Sequence, residues 1–136
     1  MNILFVYFDK IIQNDNLYVK SLCEEIRRQN GSIECSIDAF WNSTRKYDIV
    51  HIQFPEVIFK WRQPSDNGLK ALRQRIDRLK SMGTKIVYTR HDAIPHYCTD
   101  KNKLELYRIV ETQSNAIIHL GEYSRQEFAR IYPENT

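Results

Sequence analysis

The run Arg90-His91-Asp92 puts a cation, an imidazole and a carboxylate side by side, directly after the short β-branched stretch Lys85 to Thr89. An imidazole beside a carboxylate can serve as a general base, or can polarise or hydrogen-bond a substrate oxygen. Arg90 suits an anionic group. The bland reading of the same residues is a turn capped by Asp92 with His91 packed at a strand end. His96 follows Pro95, but the interrupted spacing from His91 matches no familiar zinc pattern, so no metal is predicted. His51 and His119 lie within apolar runs, where a satisfied, buried histidine is the commoner outcome.

The elements that must position these groups alternate between short apolar runs and helical periodicity. Residues 2–8 read as a first strand. Asn14, Asp15 and Asn16 are candidate caps for a helix to about Gln29, with Leu22, Cys23 and Ile26 on one face and Gly31 after it. Ile33, Cys35 and Ile37 alternate in a second strand spanning 32–39, and 39–47 is too short for a secure helix. Residues 48–54 form a third strand closed by Pro55. Asp66 is a candidate cap for a helix carrying Leu69, Leu72, Ile76 and Leu79 and ending at Gly83. Residues 85–89 form a fourth strand, and Asp100 or Thr99 caps a helix with Leu104, Tyr107 and Val110 on one face. Residues 116–120 form a fifth strand, and Ser124 with Glu127 makes a capping box for a last helix. The alternation predicts an α/β fold: a Rossmann-like open parallel sheet of about five or more strands, helices on both faces, joined by right-handed crossovers.

In such sheets ligands bind outside the carboxyl ends of the strands. The residues expected there are Asp9 and Lys10 after the first strand, and Gln53-Phe54-Pro55-Glu56 with Phe59 and Trp61 after the third. Arg90-His91-Asp92 and His96 follow the fourth, and Gly121-Glu122-Tyr123-Ser124 the fifth. No GxGxxG or GxxxxGK follows the first strand, which argues against a nucleotide cradled in that loop. The third strand ends without a phosphoacceptor Asp, and no GxSxG elbow occurs.

The composition is that of an ordinary globular chain: 136 residues, 42% hydrophobic, 27% charged, with only four Gly and four Pro, so one domain with a real core is expected. No apolar run approaches the roughly 20 residues of a membrane-spanning helix, and the N-terminus does not read as a signal peptide. Cys23, Cys35 and Cys98 form neither a disulfide framework nor a zinc pattern, and Cys23 and Cys35 are expected in the core of a cytoplasmic protein. The net charge is +3, but Lys60 to Arg90 holds nine cations against Asp66 and Asp77. Phe59-Lys60-Trp61-Arg62 followed by Arg73, Arg75 and Arg78 has the make-up of a surface for anionic lipid headgroups. A solvated helix face over packed aromatics is the plainer reading, and nucleic acid is not an expected partner.

Three segments together resemble the N-terminal domain of GT-B-fold glycosyltransferases of the family-4, or group 1, type: 47–56 (YDIVHIQFPE), 85–95 (KIVYTRHDAIP) and 114–128 (SNAIIHLGEYSRQEF). They are similar, in order and spacing, to that family's DIVHxH strand, its T-x-HD strand end and the segment leading toward its interdomain cleft. The resemblance implies that residues 1–136 are the acceptor-side, Rossmann-like domain of a two-domain enzyme. It implies no cofactor in this domain, with the nucleotide sugar held by a C-terminal domain carrying the E-x7-E region. His91 and Asp92 match the family's HD pair, which lines the cleft near the reacting sugar, and so take the catalytic positions. Acceptor contacts are implied by the resemblance for Glu56, Glu122, Tyr123 and Ser124, and are expected for Asp9, Trp61, Arg90 and His96 from their place after the strands. The loop after the first strand lacks the family's glycines, and Gln53 stands where a second His is common, so no role is carried over to Gln53. The expectation is a cytoplasmic protein, peripheral at the membrane, whose partners are a saccharide or lipid-linked acceptor and the second domain. The alternative is a stand-alone, flavodoxin-like binding module for an anionic metabolite or a protein partner.

Overall fold

The computed structural model describes residues 1–8, 17–30, 32–91 and 100–135. Five strands, β1 (Ile3–Val6), β2 (Ile33–Cys35), β3 (Ile49–Ile52), β4 (Lys85–Arg90) and β5 (Ala116–His119), form one sheet in the order β2-β1-β3-β4-β5. Every pairing is parallel. The helices are α1 (Leu17–Asn30), α2 (Ile37–Asn42), α3 (Asp66–Ser81), α4 (Lys101–Gln113) and α5 (Glu122–Ile131), with 3₁₀ turns at Pro55–Phe59 and Pro133–Asn135. The expected Rossmann-like α/β architecture is present.

Alternation along the strands divides the core into two layers. Leu4, Val6, Val50, Ile52, Ile86 and Tyr88 pack against Phe40 of α2, Leu72 and Ile76 of α3, and Leu106 and Val110 of α4. On the other face, Phe5 and Tyr7 meet Val19 and Cys23 of α1. That second face is left partly open at the sheet edge, where Ile118 is 45% and Leu120 54% exposed.

Three local expectations are corrected. The second strand stops at Cys35 because the Ser36 side chain accepts from the Ala39 backbone N–H at 2.9 Å and caps a helix that starts at Ile37. Ser65, rather than Asp66, caps α3: its Oγ accepts from Gly68 N at 3.0 Å, and Asp66 occupies the first turn, where its charge suits the helix dipole. Gly121 takes the cap position of α5, so Ser124 and Glu127 lie inside the helix and are free to bond elsewhere. Other readings hold. Leu69, Leu72, Ile76 and Leu79 form the buried stripe of α3, and Asp100 caps α4 by accepting from the N–H groups of Asn102 and Lys103. Gly83 follows α3 with φ +88, a conformation that costs an L-residue about 1–2 kcal/mol. Asn14, Asp15, Asn16, Gly31 and Thr99 lie outside the described residues.

Candidate functional site

Because all five strands are parallel, their carboxyl ends share one edge. On the two strands after the switch in strand order, polar residues stand two apart: His51 and Gln53 at β3, Thr89 and His91 at β4. Residues two apart point to the same face. The register that sets His51 beside Val87 brings all four side chains together.

They form a directed hydrogen-bond chain. The Gln53 amide nitrogen lies 3.0 Å from Thr89 Oγ1 and 2.9 Å from His51 Nε2, and Thr89 Oγ1 is 2.8 Å from the same ring nitrogen. Gln53 donates to Thr89, whose hydroxyl donates on to His51 Nε2, so the neutral His51 ring carries its hydrogen on Nδ1. At its other end the Gln53 amide presents Oε1, 2.5 Å from His91 Nε2. Only His91 can donate in that contact, which places a hydrogen on Nε2 and leaves the lone pair of the neutral ring on Nδ1. The His91 ring also stacks on Phe54, with centroids 4.6 Å apart and planes inclined by 17°. Two contacts therefore fix both its tautomer and its plane. His51 is 7% exposed, and burial, helped by the charge His91 can carry, lowers its pKa to about 4.

Phe54 extends the row outward to Trp61, with ring centroids 6.1 Å apart. Trp61 is 56% exposed and, like Lys60, has positive φ (64 and 55), unusual for a bulky side chain. Backbone bonds from Trp61 N to Glu56 O and from Lys60 N to Val57 O, both 2.9 Å, hold this turn. Beside it lies a cavity of about 430 Å³ lined by Glu56, Trp61, Arg62, Asp100 and Lys103. Glu56 accepts from Tyr107 Oη at 2.9 and 2.8 Å, tying the 3₁₀ turn to α4.

Arg90, expected to meet an acceptor, turns away to the opposite face. Its Nε donates to Glu111 Oε2 at 3.0 Å, its Nη2 to Glu127 Oε1 at 2.6 Å, and its Nη1 to the carbonyl and hydroxyl oxygens of Ser124 at 3.1 Å. The guanidinium side chain is 1% exposed, so this arginine is committed to joining β4, α4 and α5. Burial opposes its charge, but the hydrogen bond and charges of Glu127 and Glu111 outweigh it and raise its pKa. Burial also raises the pKa of Glu111, against the pull of Arg90. Ser124 likewise faces inward, with His119 Nδ1 3.0 Å from its hydroxyl. Glu122 pairs with Arg125 on the surface, and Tyr123 is 68% exposed at the same end of the sheet.

The surface expected to meet a membrane divides in two. Phe59 packs inward against Trp41, and a Cβ on Gly68 would come within 3.0 Å of its ring. Arg73 pairs with Glu105, and Arg75 donates to the carbonyls of Phe40 and Ser43. Lys60, Arg62 and Arg78 are exposed. Asp9, Lys10, Asp92, His96 and Cys98 lie outside the described residues. Among the described residues no cluster of three or more His, Cys, Asp or Glu could hold a metal ion, and no helix is long and apolar enough to cross a membrane.

Sequence reasoning set Gln53 and Phe54 at the ligand end of the sheet without giving either a role, and missed Thr89 as a site residue. The available signal was the pair of polar residues two apart in each of two otherwise apolar strands. Comparison with protein-family models, with characterised proteins and with solved structures gives no match to this chain.

Two outcomes test this account. Removing Arg90 as R90M leaves two buried carboxylates facing each other and should cost roughly 3–5 kcal/mol in urea unfolding, whereas the triple change R90M/E111L/E127L should recover most of it. A triple variant no more stable than R90M would contradict the ion-pair account. For His51 the folded pKa lies below the unfolded one, so the unfolded chain binds the proton first. Stability is complete above about pH 6.5 and falls by up to about 3 kcal/mol as pH drops toward 4. An H51N variant should show a shallower loss across that window than the parent chain.

Proposed function

We propose that this chain is the acceptor-binding half of a sugar-nucleotide-dependent glycosyltransferase acting on a saccharide or lipid-linked acceptor. The observation that carries the proposal is the row His91–Phe54–Trp61, running from an oriented imidazole at the carboxyl end of β4 to an exposed indole beside a cavity lined by Glu56 and Asp100 as well as Arg62 and Lys103. Sugar rings present apolar C–H faces to aromatics and hydroxyls to carboxylates, and this surface offers both. In the reading, an acceptor sugar lies along Trp61 and Glu56, and the His91 ring stands beside the reacting hydroxyl. Gln53 acts as a positioning residue by fixing the ring. Asp92, next in sequence, takes the second position of the HD pair that the resemblance implies.

The donor sugar nucleotide is assigned to a second domain, in keeping with a sequence that carries no GxGxxG or GxxxxGK after the first strand. The open apolar strip of Ile118 and Leu120, with Tyr123 nearby, supports a chain that works against another surface, since contiguous exposed apolar area is uncommon on monomers. The setting proposed is the cytoplasmic face of an anionic membrane. The second reading, a flavodoxin-like binding module, is favoured by one observation, the strand order β2-β1-β3-β4-β5.

Titration with oligosaccharides, followed by NMR, should perturb residues around Trp61 and His91, and W61A or H91A should weaken binding by about tenfold or more, equivalent to about 1.4 kcal/mol. Calorimetry should find no tight binding of UDP- or GDP-sugars, and tight binding would overturn the assignment. Tight binding of an anionic metabolite, with no response to saccharides, would select the module reading. On vesicles containing anionic lipid, sedimentation should fall with K60A/R62A and with rising salt, while R73A and R75A should matter less because their charges are already engaged. An insensitive profile would return this face to ordinary solvated surface.

A further inference from the structure

The sequence treats Cys23 and Cys35 as unrelated core residues, yet the fold brings their Sγ atoms to 3.4 Å while both remain free thiols. Cys23 comes from α1, on the face packed against the sheet, and is 1% exposed. Cys35 ends the edge strand β2, where its side chain is partly accessible. We infer that Cys23 and Cys35 form a reversible dithiol–disulfide site that is oxidised by low-molecular-weight disulfides.

The two thiols are not equivalent, which sets the order of events. Cys23 has its pKa raised, by its hydrogen bond with Cys35 and by burial. The same bond, received from Cys23, lowers that of Cys35 against the effect of burial, with the Arg27 charge assisting. Cys35 is therefore both the better thiolate and the more accessible sulfur, the two requirements for attack. Its thiolate attacks one sulfur of the reagent RSSR; a Cys35–SR bond forms, the RS–SR bond breaks, and RS⁻ leaves and takes up a proton. Cys23, giving up its proton, then attacks the Cys35 sulfur and expels the second RS⁻, which is protonated in turn. Two protein thiols lose two electrons to make one disulfide, and RSSR becomes two RSH. The sulfurs need only close from 3.4 Å to the roughly 2.05 Å of a disulfide bond. The bridge would fasten α1 to β2, whose residue Cys35 pairs in register with Phe5. The Phe5 ring lies 5.3 Å from His51, so the bridge would stand two contacts from the site network.

The test is oxidation of the folded chain with oxidised glutathione, alkylation of remaining thiols, and peptide mapping by mass spectrometry. The expected product is a Cys23–Cys35 cross-link with Cys98 alkylated, formed equally in C98S, reversed by dithiothreitol, and accompanied by a rise in Tm. C23S should stop at a glutathione adduct on Cys35, and C35S should react at least tenfold more slowly at Cys23. Should either variant fail to fold, the cross-link map of the unsubstituted chain still decides the matter. Stable adducts on Cys35 without a cross-link, or a cross-link through Cys98, would overturn the proposal.

Discussion

The buried guanidinium of Arg90 is the interaction on which the last third of the molecule depends. It leaves the end of β4 and binds a carboxylate from α4, a carboxylate from α5 and two oxygens of Ser124. These partners come from segments 21 to 37 residues further along the chain, and no apolar contact would impose the same directionality. The cost is desolvation of a charge, which is tolerable only because five donors in a rigid fork find several acceptors at once. Two carboxylates against one cation also explain why burial can raise the pKa of Glu111 without dissolving the network.

Strand geometry links this anchor to the site. Alternation sends Arg90 to one face and its neighbour His91 to the other, so fixing the arginine also fixes where the imidazole emerges. On that second face the constraint is of a different kind, because His51, Gln53 and Thr89 are neutral and buried. A glutamine suits the centre of such a chain: its amide donates on one side and accepts on the other, and passes a fixed orientation outward to His91. A histidine in place of Gln53 could offer the same two functions only in one tautomer. The aromatic contact with Phe54 then removes the remaining freedom of the ring.

The strained turn at Lys60-Trp61 fits the same pattern. Two consecutive residues with positive φ are held by backbone bonds to the preceding 3₁₀ turn, while the half-buried Phe59 packs against Trp41. The indole at this turn stays largely exposed. Such strain is the kind of local cost proteins accept where a side chain must meet something other than themselves.

By itself the sequence determined the architecture. Short β-branched runs alternating with amphipathic stripes, separated by Gly83 and by caps such as Asp100, admit little besides a parallel α/β sheet, and that pattern is local enough to read directly. It also determined which end of the sheet would carry polar residues such as Gln53 and His91. Where local hydrogen bonding competes with alternation, as at Ser36, the sequence misled, because a capping side chain can turn an apparent strand into a helix within one residue. Only the tertiary structure decided what each polar residue does. Arg90 and His91 are adjacent in sequence and alike in promise, yet one is spent on buried carboxylates from α4 and α5 and the other is presented at the strand end. Gln53, Thr89 and the Cys23–Cys35 pair acquire meaning only through strand register and helix packing, since their partners lie 12 to 38 residues away. A one-dimensional pattern records which face a residue occupies, while its partners are set by how the faces meet.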